Sequence, residues 1–229
     1  MNDTISFKNL SLKKRKKEIL RGISVNLEFG KSYLLMGKNG AGKSTFLRCL
    51  CGLESEYSGK IVFNSNNEKN SQHMTQGYLS DTLNIPDNLS LKKYAHSLIY
   101  LFEKQNSFDR EKYNILSEKF STYDFIEKRF GELSKGMKKL FFLTFALSVT
   151  AKIKLFDEPF EGLDIINKDE LISVMLKETA VGNLIVVSTH EIELLSKRFD
   201  DVLTINNGEL SKSSMHGLTV KNLKRMIEQ

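Results

Sequence analysis

Nine consecutive residues, Gly37-Lys38-Asn39-Gly40-Ala41-Gly42-Lys43-Ser44-Thr45, combine glycines, two ammoniums and two hydroxyls in the spacing G-x-x-x-x-G-K-[ST]. That combination suits the holding of a phosphate chain. Glycines let backbone N–H groups curl around phosphate oxygens at a helix N-terminus, Lys43 can meet the β- and γ-phosphates, and the Ser44 hydroxyl can ligate Mg²⁺. Gly37, Asn39, Gly40, Ala41, Gly42, Lys43, Ser44 and Thr45 are therefore the expected nucleotide contacts. A second group, Ile153-Lys154-Leu155-Phe156-Asp157-Glu158-Pro159, ends an apolar run in two carboxylates. Asp157 is placed to hold the Mg²⁺ shell and Glu158 to orient a water for attack. Alone, a strand ending in Asp-Glu-Pro is commonly a polar turn; beside a phosphate loop, catalysis is the stronger reading.

These groups need a scaffold. Tyr33 to Met36 is a short apolar run leading into the glycines, and Phe46, Leu47 and Leu50 follow at helical spacing, giving strand, loop, helix. Thr4 to Phe7 and Ile19 to Phe29 read as strands of an antiparallel hairpin layer, since Ile19, Ile23, Val25, Leu27 and Phe29 largely alternate with polar residues. From about Asp81 to Lys139 the chain is predominantly helical and charged, with Tyr94, Leu98, Leu101 and Phe102 at helical spacing; Tyr94, Leu98 and Phe102 are expected to form that lobe's own core. Ile153 to Phe156, Leu184 to Val187 and Val202 to Ile205 recur as β-prone runs between helical segments, the pattern of a buried parallel sheet. Asn64 to Asn70 is a polar loop.

Composition bounds the rest. The chain has 229 residues, 40% of them hydrophobic, enough for one sizeable core. A net charge of +6 could suit nucleic acid or an anionic membrane, but five basic residues fall in one run, Lys13 to Lys17, which reads as a solvated turn. Cys49 and Cys51 lie two apart in a helical stretch, face different directions, and suit neither a disulfide nor a metal. No window approaches the ~20 apolar residues of a membrane span, and the N-terminus does not read as a signal peptide, so this subunit is not expected to form a pore itself.

Two further segments frame the carboxylate pair: Leu133-Ser134-Lys135-Gly136-Met137 precedes it and Glu161-Gly162-Leu163-Asp164 follows it, with Ser188-Thr189-His190 ending the next buried strand. In that order the chain resembles the ABC (ATP-binding cassette) ATPase family over almost its whole length. The resemblance implies an α/β P-loop NTPase fold with a mostly parallel core sheet, an N-terminal antiparallel β layer and an inserted helical subdomain. The whole of 1–229 would be one ABC ATPase domain, with 1–80 and 141–229 as core and 81–140 as helical subdomain. It implies ATP and Mg²⁺ as cofactors, and two such domains paired head to tail as a homodimer or heterodimer. Ser134 and Gly136 would then cap the γ-phosphate on the opposite subunit, Asp164 would lie at the dimer interface, His190 would contact the γ-phosphate, and Glu158 would be the base. A separate membrane permease would dock near Asp81 to Leu91, placing the chain on the cytoplasmic face of the membrane as the motor of a transporter.

The sequence also departs from the family. The adenine-stacking ring is missing, since its place falls near Lys14 or Arg15. Asp81 stands where Gln commonly contacts Mg²⁺, and is carried as a metal-site residue reaching the ion through water. Lys135 and Met137 replace a glycine and a glutamine of the signature, variations associated with bacterial exporters of peptides or drugs, so export is the expected direction. Phe160 stands where Thr is common and Ile165 where Pro is. One rival is a GTPase or kinase, since Asn167-Lys168-Asp169-Glu170 is close to N-K-x-D; it fails at Glu170 and leaves Ser134 without a role. The other is a soluble ABC ATPase acting on ribosomes or nucleic acid, which the net charge would suit; a single cassette without long heptads favours the transporter, and no nucleic-acid partner is expected.

Overall fold

The structure is a computed structural model, and it describes residues 3–64, 76–79, 85–191 and 198–228. Strands β1 (Thr4–Lys14), β2 (Lys17–Glu28) and β3 (Ser32–Met36) lead into α1 (Lys43–Leu50), β4 (Ser58–Asn64) and β5 (Gln76–Leu79). Helices α2 (Leu91–Lys104), α3 (Arg110–Lys119) and α4 (Lys135–Ser148) follow, with two short 3₁₀ turns, Thr122–Phe125 and Phe130–Glu132, between α3 and α4. The chain closes through β6 (Ile153–Asp157), α5 (Ile165–Ala180), β7 (Leu184–Ser188), β8 (Asp201–Asn206), β9 (Glu209–Ser214) and α6 (Val220–Glu228).

Two sheets result, a three-stranded antiparallel layer in the order β2-β1-β4 and a six-stranded sheet in the order β5-β6-β7-β3-β8-β9. The larger sheet is parallel except where β9 returns along β8. Side chains alternate across it, as strand geometry requires. Tyr33, Leu35, Leu155, Leu184, Val186, Leu203 and Ile205 face the antiparallel layer and α1, sharing a core with Ile5, Phe7, Leu20, Phe46 and Leu47. Leu34, Met36, Phe156, Ile185, Val187 and Val202 face the other way, onto Leu140, Leu143 and Leu147 of α4, Leu171, Ile172 and Met175 of α5, and Leu223 of α6.

The expected antiparallel layer and buried parallel strands are present, with differences. β1 runs through Lys13 and Lys14, and the turn is confined to Arg15 and Lys16; the basic run is exposed throughout. Leu101, at helical spacing in α2, is 51% exposed and not part of the lobe's core. Tyr94 packs with Leu91, Phe130 and Phe141, while Leu98 and Phe102 pack with Ile99, Tyr113 and Phe145. α4 is shared: Phe141 and Phe145 belong to these two helical clusters, while Leu140, Leu143 and Leu147 belong to the main core. Position 140 therefore lies inside a continuous helix that belongs to both parts. Cys49 is buried and Cys51 caps the end of α1, both as free thiols. Among the described residues no helix is long and apolar enough to cross a membrane.

Candidate active site

β3 delivers the glycine loop to α1. Gly42 occupies the N-cap of α1 at φ 113, a backbone region that side chains avoid, and a Cβ there would lie 3.0 Å from Leu20 Cδ2 and 3.1 Å from the Ile19 carbonyl oxygen. No side chain caps this helix, so its first N–H groups remain available to an anion. Lys43 is 7% exposed, and its Nζ donates to the carbonyls of Gly37 at 2.9 Å and Lys38 at 3.4 Å. Burial pushes its pKa down, an effect opposed by the nearby carboxylates of Glu158 and Asp157.

The carboxylates sit where β6 ends, against the ends of β5 and β7. Asp157 accepts from Ser188 Oγ at 2.5 Å and from the Tyr78 hydroxyl at 3.2 Å, so both its oxygens are aimed by neighbouring strands. Glu158 has a left-handed backbone, φ 48, which costs a non-glycine residue about 1 kcal/mol or more. Its N–H donates to Ser188 Oγ at 3.0 Å, and its carbonyl accepts from Lys139 Nζ of α4 at 3.1 Å. Burial raises the Glu158 pKa, the Lys43 charge opposing and the Asp157 charge adding to that shift.

His190, just beyond β7, joins the group. Its Nε2 lies 3.5 Å from Lys43 Nζ and 3.0 Å from Glu158 Oε1. Burial, then the Lys43 charge, lowers its pKa, which favours the neutral imidazole. An Nε2 lone pair turned to the Lys43 ammonium has no proton for Glu158, and Glu158 Oε1 is accordingly buried without a hydrogen bond despite its proximity. A buried carboxylate oxygen left unsatisfied is able to accept from a polar ligand. Asp157 and the Ser44 hydroxyl are hard oxygen donors of the type Mg²⁺ takes. Among the described residues no group of three or more His, Cys, Asp or Glu could hold an ion.

The predicted residues thus divide in two. Lys43, Asp157, Glu158 and His190 converge. No hydrogen bond or ion pair among the described residues joins Ser134, Gly136 or Asp164 to the phosphate loop; Ser134 and Asp164 cap helices instead, and Gly136 lies in the first turn of α4. Ser134 caps α4, accepting from the Met137 N–H at 3.1 Å, and Asp164 caps α5, accepting from the Asn167 N–H at 2.9 Å. Gly136 packs so closely on the Gly162 carbonyl that a Cβ would meet its oxygen at 2.8 Å. Asp81 lies outside the described residues, as does the first part of the expected docking segment; Ile85 and Leu89 of that segment lean on the helical core and present no exposed apolar patch. Sequence reasoning missed Tyr78, Ser188 and Lys139, whose roles arise from contacts between distant segments; Ser188, beside the expected His190, was the one within reach.

Lys14 and Arg15, where the stacking ring was expected, are exposed, and Lys14 is paired with Glu54. A cavity of about 270 Å³ borders the phosphate loop, lined among others by Lys17, Glu18, Arg21, Lys38 and Asn206.

The family model for the ABC transporter matches residues 20–161. The chain is 31% identical to the phosphonates import ATP-binding protein PhnC of Fusobacterium nucleatum subsp. nucleatum, covering 92% of each. It is 25% identical to the manganese transport system ATP-binding protein MntB of Bacillus subtilis, over 96% of this chain and 91% of that protein. A solved structure described as an ATP binding subunit of an ABC transporter superposes with a TM-score of 0.81 at 22% identity, covering 98% of this chain and 99% of that one, which speaks to the fold. With the phosphate loop, the carboxylate pair and His190 gathered at the ends of parallel strands, the chain belongs to the ABC transporter family as one of its ATP-binding ATPase subunits.

Proposed function

We propose that this chain hydrolyses MgATP as one half of a head-to-tail pair and passes the resulting motion to a separate membrane permease, on whose cytoplasmic side it sits. The observation that carries this is the division of the predicted residues: Lys43, Asp157, Glu158 and His190 converge within one chain, while Ser134 at the N-terminus of α4 is exposed and, among the described residues, makes no hydrogen bond or ion pair with that chain's phosphate loop. A second copy would supply it.

In this reading Gly37 to Thr45 hold the phosphates, with Lys43 exchanging its carbonyl partners for β- and γ-phosphate oxygens. Asp157 and Ser44 would hold Mg²⁺, and Asp81 is assigned to the same metal site. Bound Mg²⁺ supplies charge neutralisation along the phosphates. Glu158 Oε1 takes the attacking water as hydrogen-bond acceptor and base, and His190 turns its Nε2 from Lys43 towards the γ-phosphate. Ser134 and Gly136 from the partner close the site, and Asp164 lies between the two sites. The segment 81–140 moves with the permease element docked beside it. Positioning and charge account for most of the acceleration, as in other phosphoryl transfers.

Export was expected from Lys135 and Met137; the import name of the phosphonates relative points the other way. Reconstitution of the chain with its co-purified membrane subunit in vesicles reads direction and coupling together. Wild type should transport with MgATP. Glu158→Gln should bind MgATP, dimerise by light scattering, and hydrolyse at least ~100-fold more slowly; Lys43→Ala should fail at binding. Isolation with ribosomes or nucleic acid and without a membrane subunit would refute the transporter reading and leave the ATPase standing.

A further inference from the structure

α4 begins at the Ser134 cap, and three residues on one face of its first turns touch the segment that follows the carboxylates. Lys135 Nζ lies 2.5 Å from Glu161 Oε1, Gly136 abuts the Gly162 carbonyl, and Lys139 Nζ donates to the Glu158 carbonyl at 3.1 Å. These positions, i, i+1 and i+4, share a helix face. Lys139 differs from Lys135 in being only 7% exposed, and burying an ammonium is costly unless its protons are used. The oxygen that it reaches belongs to a residue in a left-handed backbone conformation, φ 48, whose N–H is already held by Ser188 Oγ at 3.0 Å. The Glu158 backbone is therefore clamped on both sides, by β7 through its N–H and by α4 through its carbonyl.

We infer that Lys139 is a positioning residue for catalysis, fixing the left-handed Glu158 backbone so that Oε1 faces the attacking water, and linking that carboxylate to the helix whose N-terminus Ser134 caps. Movement of α4 when Ser134 engages nucleotide on the partner then reaches Glu158 of the same chain through one hydrogen bond. The inference rests on the reading of Glu158 as the group that orients water.

The test is a double-mutant cycle on the full-length chain, with MgATP turnover, ATP affinity and thermal melting measured for each protein. Lys139→Met should lower kcat about tenfold while ATP affinity stays within about twofold, the pattern of an interaction expressed in the transition state. Lys139→Arg, which keeps a charged donor, should recover most of the rate. In the Glu158→Gln background Lys139→Met should cause no further loss, because both changes remove one function. Equal fold losses in the two backgrounds, or a lowered melting temperature with kcat unchanged, would overturn the role assigned to Lys139. Near-normal turnover by Glu158→Gln alone would overturn the Glu158 reading instead. Should Lys139→Met not fold, Lys139→Leu, which likewise lacks a donor, carries the same comparison.

Discussion

Replacing Glu178 by glutamine should cost far more stability than replacing the lysine it pairs with. Lys154 stands in β6 at 2% exposure, its Nζ donating to Glu178 Oε2 at 2.8 Å and to the Leu147 carbonyl at 2.8 Å. Lys112 of α3 pairs with Glu178 Oε1, and Asn183 Nδ2 donates to Oε2 at 2.9 Å. One buried carboxylate thus serves two ammoniums, in surroundings where burial already lowers the Lys154 pKa to about 8. Removing its charge leaves the two cations facing each other. Breaking a buried pair from one side costs about 3–5 kcal/mol. The Lys112 side chain is 28% exposed and can turn to water, so the low end, about 3 kcal/mol at pH 7, is expected. Lys154→Met instead removes the desolvated cation, nearly keeps its volume, and leaves Glu178 with Lys112. It loses the bond to Leu147, worth about 1 kcal/mol, and gains relief from desolvation, so its net effect should fall within about 1 kcal/mol.

The pH dependence has a definite sign. Lys154 is lowered from 10.5 to about 8, so between those values the folded protein sheds a proton that the unfolded chain keeps, and this group's contribution to stability rises with pH. Without the Glu178 charge, which holds the Lys154 pKa up, neutralisation comes at lower pH, and the Glu178→Gln penalty should shrink by pH 9. Urea unfolding of the three proteins at pH 7 and pH 9 measures all of this. A Lys154→Met protein less stable than Glu178→Gln, or a penalty that grows with pH, would refute the reasoning.

Gly136→Ala puts a Cβ 2.8 Å from the Gly162 carbonyl and should reduce turnover and nucleotide-dependent dimerisation together, read by ATPase assay and light scattering. With no ring at the base position and Lys14 occupied by Glu54, ATP and GTP should bind within about tenfold of each other in a competition titration; an ATP preference above ~100-fold would mean a base contact not yet identified. Because burial raises the Glu158 pKa, the acidic limb of kcat/KM should fall above the ordinary carboxylate range, activity being lost as pH drops through it. His190, lowered below 6.5, should remain neutral at pH 7 and add no second limb above it.

Much of the site was legible because its residues are contiguous. The phosphate loop and the Asp157–Glu158 pair each combine a local spacing with an adjoining strand, and short-range pattern finds both. The scaffold was less legible where polarity masked burial. β9, Glu209–Ser214, is polar except for Leu210 and depends on β8 for its pairing, so nothing local announces it. β4 is likewise only half-buried and lies against β1 far from it in sequence. Lys154 reads as a polar interruption in an apolar run, because its partner Glu178 comes from a helix one element later. Lys139 looks like one more exposed lysine of a charged helix until the carbonyl that it meets is brought there by β6. Tyr94, Leu98 and Phe102 were legible as lobe core from their helical spacing, whereas Leu101 on the same spacing is exposed, since periodicity places residues on a stripe but does not say where the stripe's edge falls.

The central place of β3 also bears on how the chain is made. Tyr33 to Leu35 pair with Val186 to Ser188 on one side and with Asp201 to Leu203 on the other, so the strand that carries the phosphate loop finds its two neighbours only after most of the chain has been synthesised. At about 5–20 residues per second, that interval is roughly ten to thirty seconds. Throughout it, both hydrogen-bonding edges of an apolar strand stand open, and ATP has no finished loop to stabilise. A ribosome-bound nascent chain stopped ahead of β8 should therefore be held by chaperones and ignore nucleotide, and protection by ATP should begin only once Leu203 has left the exit tunnel.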